Sequence, residues 1–598
     1  MTFSLTPGLI FILGSFFTFL VKKNLQKIVI LSIPIIAFIK LYYSKVATLE
    51  IPFLLGNLHL LYVDNLSLFF GTLFILVALA AFIYGFNTAK HSEYIAALIY
   101  IGAALSVVFS NDFVSLYIFW ELMALSSVFL ILLRNTSAAQ KAGLRYIIVH
   151  LVGGLVLLAG IILHIHHTGS TELQAISLQS ASSYLILIGI LVNAAAVPFS
   201  SWLTDAYPES TMMGGVILSS VTTKTALYLL IRTFSGTDLL IYIGAIMGIF
   251  GVIYGLLENN IRRSLAYSVI NQLGFKILAV GLGSPLAIAG ACLHAFCGVI
   301  YNSVLWMTSG SIIHRTGKEN YSELSGLRNH MPVIFTFALI GVASISAFPF
   351  TSGFISKKVI LKAVEKAHLL GPWLALELAS FGVVLFIACK FIYFLFIYKN
   401  PSHYITVKKI NPFMAISTGI MAFFCIYLGL FPTLLYKHVP FSSELLQYVP
   451  SYFSAIYIKY FSNVIVGLQK IVFAVLAFKI LISFPFFKTK ILLDTDWLYR
   501  RLLRYITLFL ISFIDFIYSF INNISMSIIR SIVTVLSNSV SFLIYLINVP
   551  LLRMSNIPIN KNLLLNQYRL KITNNAFPFF GLGAAIFLFA IILLLSSS

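Results

Sequence analysis

Fifteen apolar runs succeed one another along this chain, at residues 4–21, 28–43, 66–86, 93–110, 112–133, 144–166, 183–199, 212–232, 238–257, 265–282, 285–310, 333–349, 373–397, 411–431 and 462–484. Most approach or exceed the roughly twenty residues that a helix needs to cross a bilayer. In hydrocarbon every backbone polar group must be paired within the segment, so runs of this length predict helices. An all-α polytopic membrane protein follows. The charged fraction of 10% against about 25% in soluble domains, and a mean hydropathy of +0.99, agree with that. No segment has the composition of a soluble domain, so the 598 residues do not count as several of them. Residues 46–63 are apolar but broken, which suggests a short hairpin at the membrane surface. The first run has no basic stretch before it and no small-residue cleavage site, so it reads as a retained span rather than a leader.

Net charge is +21, which in a soluble chain would point to nucleic acid. Here the basic residues fall between apolar runs, as at Lys22–Lys23, Arg262–Arg263, Lys408–Lys409 and Arg500–Arg501. That is the pattern of positive-inside orientation and of contact with anionic lipid, and nucleic-acid binding is excluded. The four cysteines, Cys292, Cys297, Cys389 and Cys425, all lie in apolar stretches without metal- or cluster-site spacing. No Gly-rich phosphate loop follows a strand. Neither a metal nor a cofactor is expected, and the chain has no catalytic site of its own.

Charges inside the spans are the functional signal, since a cation at mid-bilayer costs a few kcal/mol or more. Lys224 lies near the centre of the 212–232 run, after the polar, Pro-bounded loop PFSSWLTDAYPES. Glu121 lies near the middle of DFVSLYIFWELMALSSVFLILL. A buried acid and a buried base suggest a proton or cation path; the bland alternative is a static ion pair holding two helices in register. A nearby carboxylate favours the charged amine and its withdrawal favours release, so a small helix movement would become an exchange step. A second polar, Pro-flanked break, PFTSGFISKKVILKAVEKAH, precedes Lys390. Paired breaks in two halves of a transporter point to an internal repeat with a site at each. His150 and His294 sit on apolar runs and suit a relay, or serve only packing. Asp205, Glu209, Lys357 and Lys358 read as solvated loop charges or groups at the mouth of a path.

Beyond Arg501, polar residues recur every three or four positions at Ser512, Asp515, Ser519, Asn523, Ser527, Ser531, Thr534, Asn538, Ser541 and Asn548. That is one stripe on a long helix, about 65 Å if continuous. One reading is a helix lying along the membrane and clasping a neighbouring subunit, similar to the lateral helix of the large antiporter-like subunit of respiratory complex I; the alternative is two spans broken at Asn522–Ser527. A last apolar run, 578–595, reads as an anchor span.

Several stretches together resemble the antiporter-like membrane subunits shared by Mrp-type cation/proton antiporters and respiratory complex I. They are FWELMALSS, PFSSWLTDAYPES, SSVTTKTALYLL, RRSLAYSVINQLGF, SGSIIHRTGK, SELSGL, SGFISKK, GLFPTLLY and LLDTDWLYRR. The likeness covers most of residues 60–500, and TTKTALY and LDTDWLYRR bring it nearest the Mrp D-type chain. The resemblance implies a core of about fourteen helices with two inverted five-helix repeats, each with a broken helix. It divides the chain into N-terminal spans and surface hairpin (1–92), a first repeat (93–257), a second repeat (258–400), C-terminal core spans (401–500) and the lateral helix with its anchor (501–598). It implies a proton relay through Glu121, Lys224, His294 and Lys390, and partners that are other membrane subunits, protons, sodium as a candidate second ion, and lipids.

The family pattern on the central helix is approximately His-x-x-x-His-Ala-x-x-Lys. His294 is kept, but the second histidine falls on Gly298 and the lysine on Asn302. A neutral Asn neither holds nor releases a proton near pH 7. Lys276, in SVINQLGFKILAVG, is the candidate substitute if it faces His294 and Asn302; otherwise it snorkels to an interface. The first reading is therefore a proton-translocating subunit of an Mrp-type assembly in the inner (plasma) membrane of a bacterium. The second is an antiporter-like, proton-pumping subunit of NADH-quinone oxidoreductase (complex I) or of a related hydrogenase. The third is a scaffold with a broken relay.

Overall fold

The computed structural model describes residues 6–43, 48–53, 56–399, 407–441, 457–482 and 496–537, with isolated positions besides. The chain falls into two compact units, Met1–Asp496 and Trp497–Ser598. The first unit is helical apart from one hairpin. Its helices are α1 (Pro7–Leu20), α2 (Lys23–Tyr43), α3 (Asn65–Tyr84), α4 (His91–Phe109), α5 (Phe113–Leu132), α6 (Ser137–Thr168), α7 (Ala181–Asn193), α8 (Ser201–Ala206), α9 (Met212–Ser220) and α10 (Thr222–Thr233). There follow α11 (Asp238–Leu257), α12 (Ile261–Leu282), α13 (Pro285–Thr316), α14 (Pro332–Ile345), α15 (Ser352–Lys366), α16 (Leu370–Val383), α17 (Pro412–Leu430), α18 (Thr433–Tyr436) and α19 (Tyr457–Leu481). Among the described residues thirteen helices are long and apolar enough to cross a bilayer; α1, α7 and α14 are apolar but shorter. The hairpin lies where the sequence breaks: β1 (Thr48–Phe53) pairs antiparallel with β2 (Gly56–Tyr62).

Short polar residues start the helices. Asp64 and Ser180 form reciprocal capping boxes with Ser67 and Ser183, and Asp112, Thr136, Asn260 and Ser284 accept from backbone amides in the first turn. Asp64 also pairs with Arg232 at 2.6 Å. Burial alone would raise its carboxyl, but the Arg232 bond and charge, with the Ser67 bonds, outweigh that and hold it below its ordinary range.

The two halves repeat at the backbone. Asp112 bridges Glu172, and 148 positions later Asn260 bridges Asn320. The Phe113 amide donates to Thr171 and the Ile261 amide to Glu319, again 148 apart. Helices α6 and α13 both run 32 residues and both end on a left-handed glycine, Gly169 and Gly317. Five crossings separate Asn111 from Asn259 when α7 is counted, so equivalent points lie on opposite membrane faces. An odd count makes the repeat inverted.

The helices differ in what surrounds them. Spans α9–α10, α12 and α13 are buried along nearly all their length, whereas α5 and α6 expose Phe129, Leu144 and Leu155. Apolar groups facing outward suit lipid; the polar side chains collect on the buried helices. Close approach of α11 and α12 depends on glycine, because a Cβ on Gly274 would lie 2.5 Å from the Gly244 carbonyl oxygen.

In the second unit, α20 (Asp496–Ser537) is one unbroken helix, which removes the alternative of two spans parted at Asn522–Ser527. Residues 505–530 are exposed all round. The anchor span expected at 578–595 lies outside the described residues, as do Asn538, Ser541 and Asn548.

Candidate functional site

Lys224 owes its position to a helix break. Val221 is distorted from ideal helix angles (φ −106, ψ −64), and the amides of Lys224 and Thr225 both turn to its carbonyl at 2.9 Å. The Ser219 carbonyl, at the end of α9, instead accepts from Lys224 Nζ at 2.5 Å, with Thr223 Oγ1 at 3.2 Å. Two further buried lysines use the same device. Lys357 Nζ donates to Ile345 O at the end of α14 (2.8 Å). Lys390 Nζ donates to Leu256 O (2.7 Å) and Glu258 O (2.5 Å) at the end of α11. Helix C-termini carry unpaired carbonyls and the negative end of the peptide dipoles, so each holds an amine without a carboxylate.

His294 is the most completely wired group. Asn271 Nδ2 donates to Gly248 O at 2.6 Å, which turns its Oδ1 toward Gln272 Nε2, also at 2.6 Å. That fixes Gln272 with Oε1 facing His294 Nε2 (3.0 Å) and Tyr301 Oη (3.0 Å). An acceptor there requires Nε2 to carry hydrogen. The nitrogen left to gain or lose a proton is Nδ1, 3.0 Å from Ser356 Oγ. Ser356 also has the Ser352 and Gly353 carbonyls at 3.2 Å. Its hydroxyl can donate to a bare Nδ1, or accept from Nδ1–H while donating to a carbonyl. Both charge states of His294 are thereby accommodated, beside Lys357.

Lys276 lies against the central helix. A Cβ on Gly298 would be 3.3 Å from Lys276 Nζ and 3.3 Å from Tyr301 Oη. The absent side chain at 298 thus leaves the room that the Lys276 amine occupies, next to the His294–Gln272–Tyr301 network. Lys224, Lys276, His294 and Lys357 are each at most 1% exposed. Asn302 is buried too, and neither atom of its amide has a hydrogen-bond partner. Close bases titrate as a coupled set, since a proton on one raises the cost of a proton on its neighbour.

The first half holds a looser polar cluster. A Cβ on Gly154 would collide with Glu121 Oε1, which has no hydrogen bond of its own. One turn earlier, His150 packs between Tyr146 (centroids 4.1 Å, tilted) and Trp202 (4.5 Å, edge-on), with both ring nitrogens unpartnered. Asn193 is likewise buried and unpartnered. Hydroxyls lead on from there: Ser127 Oγ to Tyr146 Oη at 2.8 Å and Tyr100 Oη to Thr222 Oγ1 at 2.5 Å, two residues short of Lys224. Among the described residues no ion pair joins Glu121 to Lys224, so the static ion pair is not present: Lys224 Nζ rests on the Ser219 carbonyl and Thr223 Oγ1 instead.

Other sequence expectations need correction. Lys357 is not a solvated loop charge: it lies inside α15 and is buried. Lys358 is on the same helix, half-buried, over the Phe354 ring at 5.8 Å. Asp205 ends the short α8 and pairs with Arg145 at 2.9 Å, while Glu209 and Glu319 both pair with Arg134. Arg262 is no lipid-flanking charge. It is fully buried, donating to the carbonyls of Pro208 (3.1 Å), Ser210 (2.7 Å) and Thr211 (3.0 Å), with Trp306 beneath its guanidinium. Thr211, which caps α9, also donates to buried Glu93 at 2.5 Å. Lys390 is buried but is not brought to the row of bases. Gln272, Asn271, Tyr301 and Ser356 escape the sequence reading, although two adjacent amides inside an apolar run are a legible signal.

Residues 110–385 match the family described as NADH:quinone oxidoreductase/Mrp antiporter, TM. The chain is 29% identical over 437 residues to the A-type Na(+)/H(+) antiporter chain of Alkalihalophilus pseudofirmus, covering 64% of this chain and 53% of that protein. It therefore spans about half the length of the curated relatives it matches. A chain of the archaeal membrane-bound sulfane sulfur reductase superposes with a TM-score of 0.63 at 26% identity, covering 71% of this chain and 75% of that one. A chain of the Mrp complex from Dietzia sp. DQ12-45-1b gives 0.68 at 22% identity, covering 83% and 59%; at that identity the likeness concerns the fold.

Proposed function

We propose, from the premise that residues 110–385 place this chain in the antiporter-like membrane protein family shared by Mrp-type antiporters and complex I, that it carries protons across the bilayer within an Mrp-type cation/proton antiporter assembly. Its seat is the plasma membrane of a bacterium, and its partners are other membrane subunits. The curated relatives are of the A type, so the chain corresponds to an antiporter-like part of an A-type chain as readily as to the D type. The observation that carries the proposal is the row of four buried bases, Lys224 on α10, Lys276 on α12, His294 on α13 and Lys357 on α15, with the Lys276 amine in the room left at Gly298 beside the His294–Gln272–Tyr301 network.

Protons move along this row by exchange between neighbours. Lys224 and Lys357 are held by helix-end carbonyls whether charged or neutral. His294 passes a proton at Nδ1 through the Ser356 hydroxyl. Lys276 takes the place left by Gly298 and Asn302, which keeps the middle of the row titratable. Glu121 and His150 feed it from the first half through the Tyr146 and Tyr100 hydroxyls.

Everted vesicles containing the whole assembly test this. Lys224→Ala or Glu121→Gln is expected to abolish sodium-dependent proton movement while the complex still assembles. Unchanged movement rejects the relay and leaves the scaffold reading. A redox-driven assembly, favoured by the likeness to a respiratory membrane complex, would instead show flux that responds to electron donors and not to sodium.

A further inference from the structure

Helix α2 begins at Lys23, α3 ends at Tyr84, and α4 and α17 begin at His91 and Pro412. Aromatic contacts draw these four ends together. Lys27 Nζ rests 4.8 Å over the Phe86 ring, that ring lies 4.3 Å from Phe413, and Phe19 meets His91 edge-on at 5.6 Å. Lys22, Lys23, Lys27, Lys90, Lys408 and Lys409 therefore share one membrane face. All six are exposed, and among the described residues none pairs with an acid. Glu93, the acid in the first turn of α4, is buried and bonded to Thr211 instead.

An apolar groove leads away from that edge. Helix α3 packs on α4, α9 and α13 inside and on α2 and α17 at its flanks. What remains is one stripe at helical spacing, Leu68, Thr72, Leu76, Leu79 and Ile83, half-buried between the two flanking helices. Its walls stand clear: Ile28 and Ile35 of α2 and Ile416 and Phe423 of α17 are exposed. From Leu68 to Ile83 the stripe runs about 22 Å, most of the roughly 30 Å of hydrocarbon. It ends at Phe86, beneath the Lys27 ammonium. A recess of that length with an unopposed positive end complements a molecule that is apolar along its body and anionic at its tip.

We propose that this groove binds one anionic glycerophospholipid, its phosphate among Lys23, Lys27, Lys408 and Lys409 and one acyl chain along the α3 stripe. Lys23 and Lys27 lie one turn apart on α2, and Lys408 and Lys409 come from the segment that leads into α17 on the opposite wall. Each lysine beside the phosphate favours an anionic headgroup by about fivefold. A zwitterionic lipid brings its own cation to this edge and gains little there. Inorganic phosphate lacks the chain that fills the groove. The site lies apart from the row of bases, and the inference does not depend on the relay reading.

Photo-crosslinking of the whole assembly in phosphatidylcholine vesicles tests this. One probe is a phosphatidylglycerol with a diazirine in its acyl chain, the other a phosphatidylcholine carrying the same chain, and the labelled peptides are mapped. The anionic probe is expected to mark α3 or α17 at least about fivefold more than the zwitterionic one. Excess unlabelled phosphatidylglycerol is expected to erase that mark, and inorganic phosphate to leave it. Lys27→Gln is expected to lower the preference about fivefold and Lys27→Arg to keep it, both in assemblies of normal yield on size exclusion. Lys141→Gln, on the same membrane face at the start of α6, is expected to change nothing. Equal marking by the two probes, or no mark on either helix, overturns the proposal. So does an equal loss in Lys141→Gln and Lys27→Gln, which would show a diffuse surface potential in place of a site.

Discussion

Gln272 is the hinge of the His294 network, and replacing it by leucine gives a worked test. Leucine fills similar space but accepts nothing, so His294 Nε2–H and Tyr301 Oη–H lose their 3.0 Å acceptor, and Asn271 Oδ1 loses its donor. A buried donor left unpaired costs about 1–3 kcal/mol, so the two donors together cost about 2–6 kcal/mol. Tyr301→Phe is the matched control. It removes one donor while His294 still satisfies Gln272 Oε1, for about 1 kcal/mol. Unfolding of the purified assembly followed by a thermal or denaturant scan reads the difference. Proton flux in vesicles reads the second consequence: without Gln272 the ring is no longer held with Nδ1 toward Ser356. Flux is expected to fall at least about tenfold in Gln272→Leu, the equivalent of about 1.4 kcal/mol in a barrier, and far less in Tyr301→Phe. Equal effects of the two substitutions on stability and on flux would refute the wiring.

Gly154→Ala is expected to fold, because the added methyl meets only the movable end of Glu121, yet to lower flux by displacing that carboxylate; Gly274→Ala meets backbone of α11 and is expected to cut the yield of folded protein on size exclusion. Lys390→Gln keeps a donor for the α11 carbonyls and is expected to retain folding better than Lys390→Met; an equal loss in both would argue that Lys390 acts through its charge. Arg262→Met leaves three carbonyls unpaired, at about 1–3 kcal/mol each, and is expected to yield no stable protein. The Asp64–Arg232 contact adds a pH dependence of known sign. Because the folded carboxyl is held low, its contribution is complete above the ordinary aspartate range and is lost as pH falls through the folded value. Asp64→Asn is thus expected to lower the melting temperature at pH 7 and to lose that deficit in strong acid.

Much of the fold is legible in the chain because bilayer crossing imposes a length: the run at 238–257 coincides with α11, and most others fall within a few residues. The breaks are harder. The Pro-rich loop announces an interruption before Lys224, but the decisive one is at Val221, where nothing in composition marks it. The second break is likewise internal, a π-helical stretch at Val384–Phe391 that carries Lys390. Arg262 and Lys357 mislead for one reason. Both sit in doubly basic pairs, which flank spans at membrane surfaces, and their targets are backbone carbonyls, which sequence does not display. The Lys276–Gly298 exchange is legible because both departures fall on neighbouring helices, whereas Ser356 is an ordinary serine until His294 is seen beside it.

Proton flux through vesicles carrying Lys276→Ala in the otherwise intact assembly probes the buried row most directly, since this amine alone stands where Gly298 and Asn302 leave a gap. Flux at background level, with the complex recovered at normal yield, is the expected result. Flux undiminished from the parent would contradict it, for the row would then be conducting without its middle member.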